Sequence, residues 1–114
     1  MGPYSHGVIS NGLLFCSGQV PIDPDSGQLI EGSIGDKARR CLQSLSAICA
    51  SAGAELADAV RCTVYLTDMD DFAAVNDAYG EFFPGEPPAR VAYAVAGLPR
   101  GAAIEIDAIV AMPD

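Results

Sequence analysis

From Ser33 to Ala52, apolar residues return every three or four positions: Ile34, Ala38, Cys41, Leu42, Leu45, Ile48, Cys49 and Ala52. That spacing predicts one buried face of an α-helix. Ser33 suits the N-cap, Asp36 three residues on completes most of a capping box with a shorter acid, and Gly53 ends the helix. From Val60 to Leu66 the period changes to two. Val60, Cys62, Val64 and Leu66 fall on one face and Arg61, Thr63 and Tyr65 on the other, as in a half-buried strand. A second helix is predicted over Phe72–Phe83, with Asp71 as cap and Phe72, Val75, Tyr79 and Phe82 inward. Pro84, Gly85, Pro87 and Pro88 end it. Ala89–Val95 reads as a strand. Ala103–Met112 alternates most cleanly, with Ile104, Ile106, Ala108 and Val110 against Glu105, Asp107, Ile109 and Ala111. Near the start, Asn11-Gly12 between Val8-Ile9 and Leu13–Ser17 signals a hairpin. Pro21–Gly27 is dense in turn formers and cannot continue a central strand.

The order is therefore β-β-α-β-α-β-β, and residues 1–114 read as one domain. Two helices on one face of a mixed or antiparallel sheet make a two-layer α+β architecture. The sheet's second face then carries Ala92, Ala94, Tyr65, Ile109 and Ala111. Such a half-apolar surface suits a second subunit. Apolar residues make up 50% of the chain, which agrees with buried contacts between copies as well as with an alanine-rich core.

Charge narrows the function. Six basic residues face fifteen acidic ones, for a net charge of −9. Nucleic acid is repelled by such a surface. The one basic cluster, Lys37, Arg39 and Arg40, sits beside Asp36 in the opening turns of the first helix and reads as a solvated face. No apolar run approaches the roughly 20 residues that span a bilayer, and the first residues lack the pattern of a signal peptide. Cys16, Cys41, Cys49 and Cys62 form no C-x-x-C pair and read as small buried thiols. With His6 as the single imidazole, the chain offers too few nitrogens for a zinc site. The expected compartment is cytoplasmic and reducing.

Against this acidic background, an arginine entering a strand needs a reason. Arg90 follows Pro87-Pro88-Ala89 and leads into Val91–Val95. Its partner is either a carboxylate of the chain, with Glu105 available, or an anionic ligand held by the guanidinium fork. Glu105 and Asp107 share one face of the last strand. They are either ordinary polar positions or one acid aimed into a pocket beside Arg90. Gly18, after Ser17, permits close approach of a ligand or simply a turn. Tyr4 lies in an arm that a partner or ligand would have to pin. Asn76, beside Val75, reads by itself as a surface residue. No nucleophile with an arranged base stands out, and no phosphate loop is present.

Several segments together resemble the RidA/YjgF family of reactive-intermediate imine deaminases, also labelled endoribonuclease L-PSP-like. They are Gly2–Gly7, Leu14–Pro21, Val64–Met69, Asp71–Asn76, Pro88–Arg90, Leu98–Gly101 and Ile104–Ala108, in order and across essentially the whole chain. The resemblance implies a chorismate-mutase-like (YjgF-like) α+β subunit, a homotrimer with clefts between subunits, and no metal or organic cofactor. It implies hydrolysis of 2-imino acids and their enamine tautomers to 2-oxo acids and ammonia, as in 2-iminobutanoate/2-iminopropanoate deaminase. Carried over by position, Arg90 grips the substrate carboxylate and Glu105 positions water. Tyr4, Ser17, Gly18 and Asn76 line the ligand. A ligand-binding or regulatory trimer without turnover is the alternative. An RNA-cleaving role sits poorly with the acidic surface. His6 stands where glutamine is frequent, and Tyr93-Ala94-Val95 departs from the common Val-Glu-Val, which bears on substrate preference. The deaminase expectation has a sharp requirement: Arg90 and Glu105 must meet around one small anion at a subunit seam.

Overall fold

A computed structural model describes residues 2–114. The strands are β1 (Gly7–Ser10), β2 (Leu13–Gln19), β3 (Ala59–Leu66), β4 (Ala89–Ala94) and β5 (Ile104–Ala111); the helices are α1 (Ile34–Ala52) and α2 (Phe72–Gly80). The five strands form one mixed sheet in the order β1-β2-β5-β3-β4, antiparallel except for β3 and β4. That parallel pair is joined by α2, the long crossover that parallel strands require. Both helices pack on one face of the sheet. The core between the layers is built from Leu42, Leu45 and Cys49 of α1, Val75 and Ala78 of α2, Val64 and Leu66 of β3, and Ile104, Ile106 and Val110 of β5. The α+β expectation stands.

Local chemistry explains most boundaries. Ser33 caps α1 by accepting a hydrogen bond from the Asp36 amide at 3.1 Å. Asp36 does not complete a box; its carboxylate accepts instead from Arg39 at 3.1 Å. Gly53 closes the helix at φ 80°, a left-handed conformation glycine takes without penalty. Asn11 (φ 53°) and Gly12 (φ 77°) make the tight turn of the first hairpin, both in the left-handed region a type I′ turn needs.

Three expectations are corrected. Val60 does not face the core. The β3–β5 register shifts between Ala59 and Arg61, so Ala59 takes the inward position and Val60 bulges out. Helix α2 ends at Gly80; Phe82 packs partly buried against the core and Phe83, in the turn that follows, is buried more fully, while Asp71 makes no side-chain cap. In β4 the faces are exchanged. Arg90, Ala92 and Ala94 are in register with Cys62, Val64 and Leu66 and share their helix-side face, whereas Tyr93 stacks on Tyr65 across the open face. The sequence Ala-Arg-Val-Ala-Tyr-Ala has small residues on both faces, so hydrophobic alternation alone does not orient it.

Candidate functional site

The expected site residues fall into two groups on opposite faces of the sheet. The first group surrounds a bulge in β2. Cys16 pairs with Ala108 and Gln19 with Ile106, so the three steps from Cys16 to Gln19 lie against two in β5. The extra residue bends the strand at Ser17-Gly18 and opens it beside Glu105. A Cβ on Gly18 would lie 2.7 Å from Glu105 Oε2 and 2.8 Å from its Cδ. The absence of a side chain at Gly18 is therefore what lets the carboxylate occupy its position. Ser17 pins the N-terminal arm twice. Its hydroxyl donates to the Ser5 carbonyl at 2.6 Å, and its amide donates to the His6 carbonyl at 2.8 Å. These bonds hold the backbone beside Tyr4, whose ring is 59% exposed and meets His6 edge-on at 5.7 Å. Tyr4, Ser17, Gly18 and Glu105 together line a cavity of about 580 Å³, joined by His6 and Arg100.

Glu105 is half-buried. Burial first, and the neighbouring charge of Asp107 second, hold its carboxyl above the ordinary glutamate value. Asp107 takes a different role by accepting a 2.8 Å hydrogen bond from the Tyr65 hydroxyl.

The second group lies on the helix side at the sheet edge. The Arg90 guanidinium carbon sits 4.9 Å from the ring centroids of both Phe72 and Tyr79, and Nη1 donates to Asn76 Oδ1 at 2.7 Å. Asn76 is thereby drawn out of the surface role its sequence position suggests. Cation–π contacts and a neutral acceptor orient the fork without neutralising it. Among the described residues the ion pairs are Arg39–Asp36 and Arg39–Glu81, so Arg90 has no acidic partner. The expected meeting of Arg90 and Glu105 does not occur within one chain. One points to the helix layer and the other to the open face.

Three features escaped the sequence reading. Phe72, Asn76 and Tyr79 stand at i, i+4 and i+7 on α2, a spacing that marks one helical face and could have revealed the cradle for Arg90. Arg100 lies in a Pro-Arg-Gly turn at φ 62°, and only its sign in an acidic chain hinted at a role. Arg40 is not a solvated residue like Arg39. Its Nε is shut off from solvent without a partner. The cysteines are all free and buried as expected. Burial pushes the Cys41 thiol to about 12 and Cys62 to about 11, which keeps them protonated near neutrality and unsuited to nucleophilic attack.

The fold coincides with a known class. The family described as Endoribonuclease L-PSP matches residues 1–112. Over 109 residues the chain is 46% identical to the 2-iminobutanoate/2-iminopropanoate deaminase of Mus musculus, covering 96% of this chain and 81% of the mouse protein. It is 45% identical over 111 residues to protein DfrA of Myxococcus xanthus, covering 96% of this chain and 85% of that one. The crystal structure of E. coli TdcF with bound serine superposes with a TM-score of 0.92 at 35% identity, covering 99% of this chain and 91% of the other. The chain belongs to this family, the RidA/YjgF group.

Proposed function

We propose that this chain is an imine hydrolase that releases ammonia from 2-imino acids, including 2-iminobutanoate and 2-iminopropanoate, and works as an assembly of identical copies. The observation that carries the reading is the division of the site. One half holds a carboxylate of raised basicity beside a cavity but lacks a carboxylate-binding fork. The other holds an oriented arginine that lacks an anion. Two copies, placed so that Arg90 of one faces Glu105 of the next, complete each other. Three copies is the number that the family resemblance implies. Phe15 and Tyr93, 42% and 50% exposed on the open sheet face, offer apolar surface for such contacts.

The chemistry follows from these groups. Arg90 and Asn76 hold the substrate carboxylate. The protonated imine carbon is already electrophilic, so positioning and water delivery are the main tasks. Glu105 takes a proton from water as its oxygen bonds to the imine carbon, forming a carbinolamine. Glu105 then returns that proton to the amino nitrogen. The carbon–nitrogen bond breaks, ammonia leaves, and the hydroxyl gives its proton back to the Glu105 carboxylate, which passes it to solvent, as the 2-oxo group forms. No metal or organic cofactor enters this scheme.

Ammonia release from imino acids generated in situ by an amino-acid oxidase tests the reading. Arg90→Ala and Glu105→Gln should each lower kcat/KM about 100-fold or more. Unfolded together and refolded as a mixture, the two variants should regain activity well above their separate values, because some interfaces then join an intact arginine to an intact glutamate. Full activity in either variant, or mixing without recovery, would sink the shared site. The bound serine in TdcF keeps a second reading in view, a small-molecule-binding assembly without turnover. Saturable binding of 2-oxo acids with no acceleration of ammonia release would select it.

A further inference from the structure

The cavity beside Glu105 does not end at the sheet. A second cavity of about 410 Å³ lies on the helix side of the β2 bulge and is lined by Gln19, Arg40 and Ser44. Both cavities are bordered by Tyr4, His6, Gly18, Val20 and Ile22, so they form one cleft that wraps around the bulge. At one end stands the Glu105 carboxylate. At the other stands a guanidinium.

Arg40, like the other basic residues apart from Arg39, has no acidic partner among the described residues, although fifteen acidic side chains are available. Its Nη2 donates to Ser44 Oγ at 3.1 Å, while its Nε is buried with no acceptor. Nη1 makes no hydrogen bond among the described residues and is not buried, and Arg40 borders the cavity; this outer end of the fork, not the sealed Nε, is what suits a carboxylate.

We propose that Arg40, with Ser44 and Gln19, forms a second anion-holding end of this cleft and selects 2-imino acids that carry another carboxylate on the side chain. The inference rests on the deaminase reading. In it, the partner copy's Arg90 holds the carboxylate next to the imine, Glu105 faces the imine carbon, and Arg40 receives the distal carboxylate.

The experiment compares kcat/KM for four- and five-carbon 2-imino diacids with those for monocarboxylic 2-imino acids of equal length, each generated in situ. The wild-type protein should favour at least one diacid about tenfold or more. In Arg40→Gln the diacid-to-monoacid ratio should fall about tenfold, and Arg40→Lys should restore part of it. Calorimetric titration with the corresponding 2-oxo diacids and monoacids supplies a readout free of turnover. Ammonia release with a ratio that Arg40→Gln leaves unchanged overturns the second anion site and spares the deaminase reading. Diacid binding that depends on Arg40, without ammonia release, does the reverse. Should Arg40→Gln fail to fold, as judged by circular dichroism, Ser44→Ala and Arg40→Lys carry the comparison. An unaltered ratio and unaltered diacid affinity in both overturn the proposal.

Discussion

At the scale of single residues, Glu105 makes the clearest commitment. Its carboxyl is held above the ordinary glutamate value by burial, then by Asp107. Folding therefore favours its protonated form. In the window between the ordinary and the raised value the folded chain binds more protons than the unfolded one, so stability falls as pH rises through that window. Activity runs the other way. A base must be ionised, so kcat should drop as pH falls through the raised value. Paired pH profiles of kcat and of thermal midpoint should thus slope in opposite directions there, and Glu105→Gln should flatten this part of the stability profile. Parallel slopes would remove Glu105 from the base role. The acid itself was legible from the alternation of β5. Its surroundings were not, since they depend on a bulge in another strand that Ser17-Gly18 only hinted at. Arg90 shows the same limit. Its charge stood out, but its direction depended on the register of a strand whose two faces are nearly alike. Nothing in one chain's sequence states whether two residues of a site meet within one copy or between copies.

Among the elements, α1 was the most readable because three signals agree on it: the 3.6-residue period, a serine cap and a terminal glycine. Replacing Ser33 by Ala removes the acceptor for the Asp36 amide and should cost about 1 kcal/mol of unfolding free energy, measured by denaturant titration. An unchanged midpoint would mean that packing of Leu42, Leu45 and Cys49 alone fixes the helix start. Helix α2 was less readable at its end. The residues after Gly80 continue the apolar pattern, yet a tight turn there buries Phe83 more fully than Phe82. That turn places Glu81 against Arg39, whose Nη2 donates at 2.8 Å and links the two helices at their exposed ends. Strand β3 teaches a related point. An unbroken alternation assigned Val60 inward, and a one-residue bulge reversed it. Periodicity identifies elements well, but bulges and tight turns shift phase without leaving a strong mark in composition.

For the whole molecule, the two-layer order followed from the succession of elements, and the candidate for self-assembly followed from a sheet with two partly apolar faces. The distribution of positive charge could not be anticipated in this way. Arg40, Arg90 and Arg100 have no acidic partner among the described residues, and Arg40 and Arg100 border the cleft. The bulk of the surface keeps its acidic excess. An anion approaching from solution consequently meets repulsion before it meets attraction, and the two act over different distances. Dissolved ions weaken the distant field first, with a screening length of about 10 Å at 0.1 M, and barely touch a sheltered contact. Adding salt at constant pH from about 10 to 100 mM should therefore raise kcat/KM for anionic substrates, the opposite of what attraction-guided enzymes display; a decline would mean that the cleft cations govern the approach from afar.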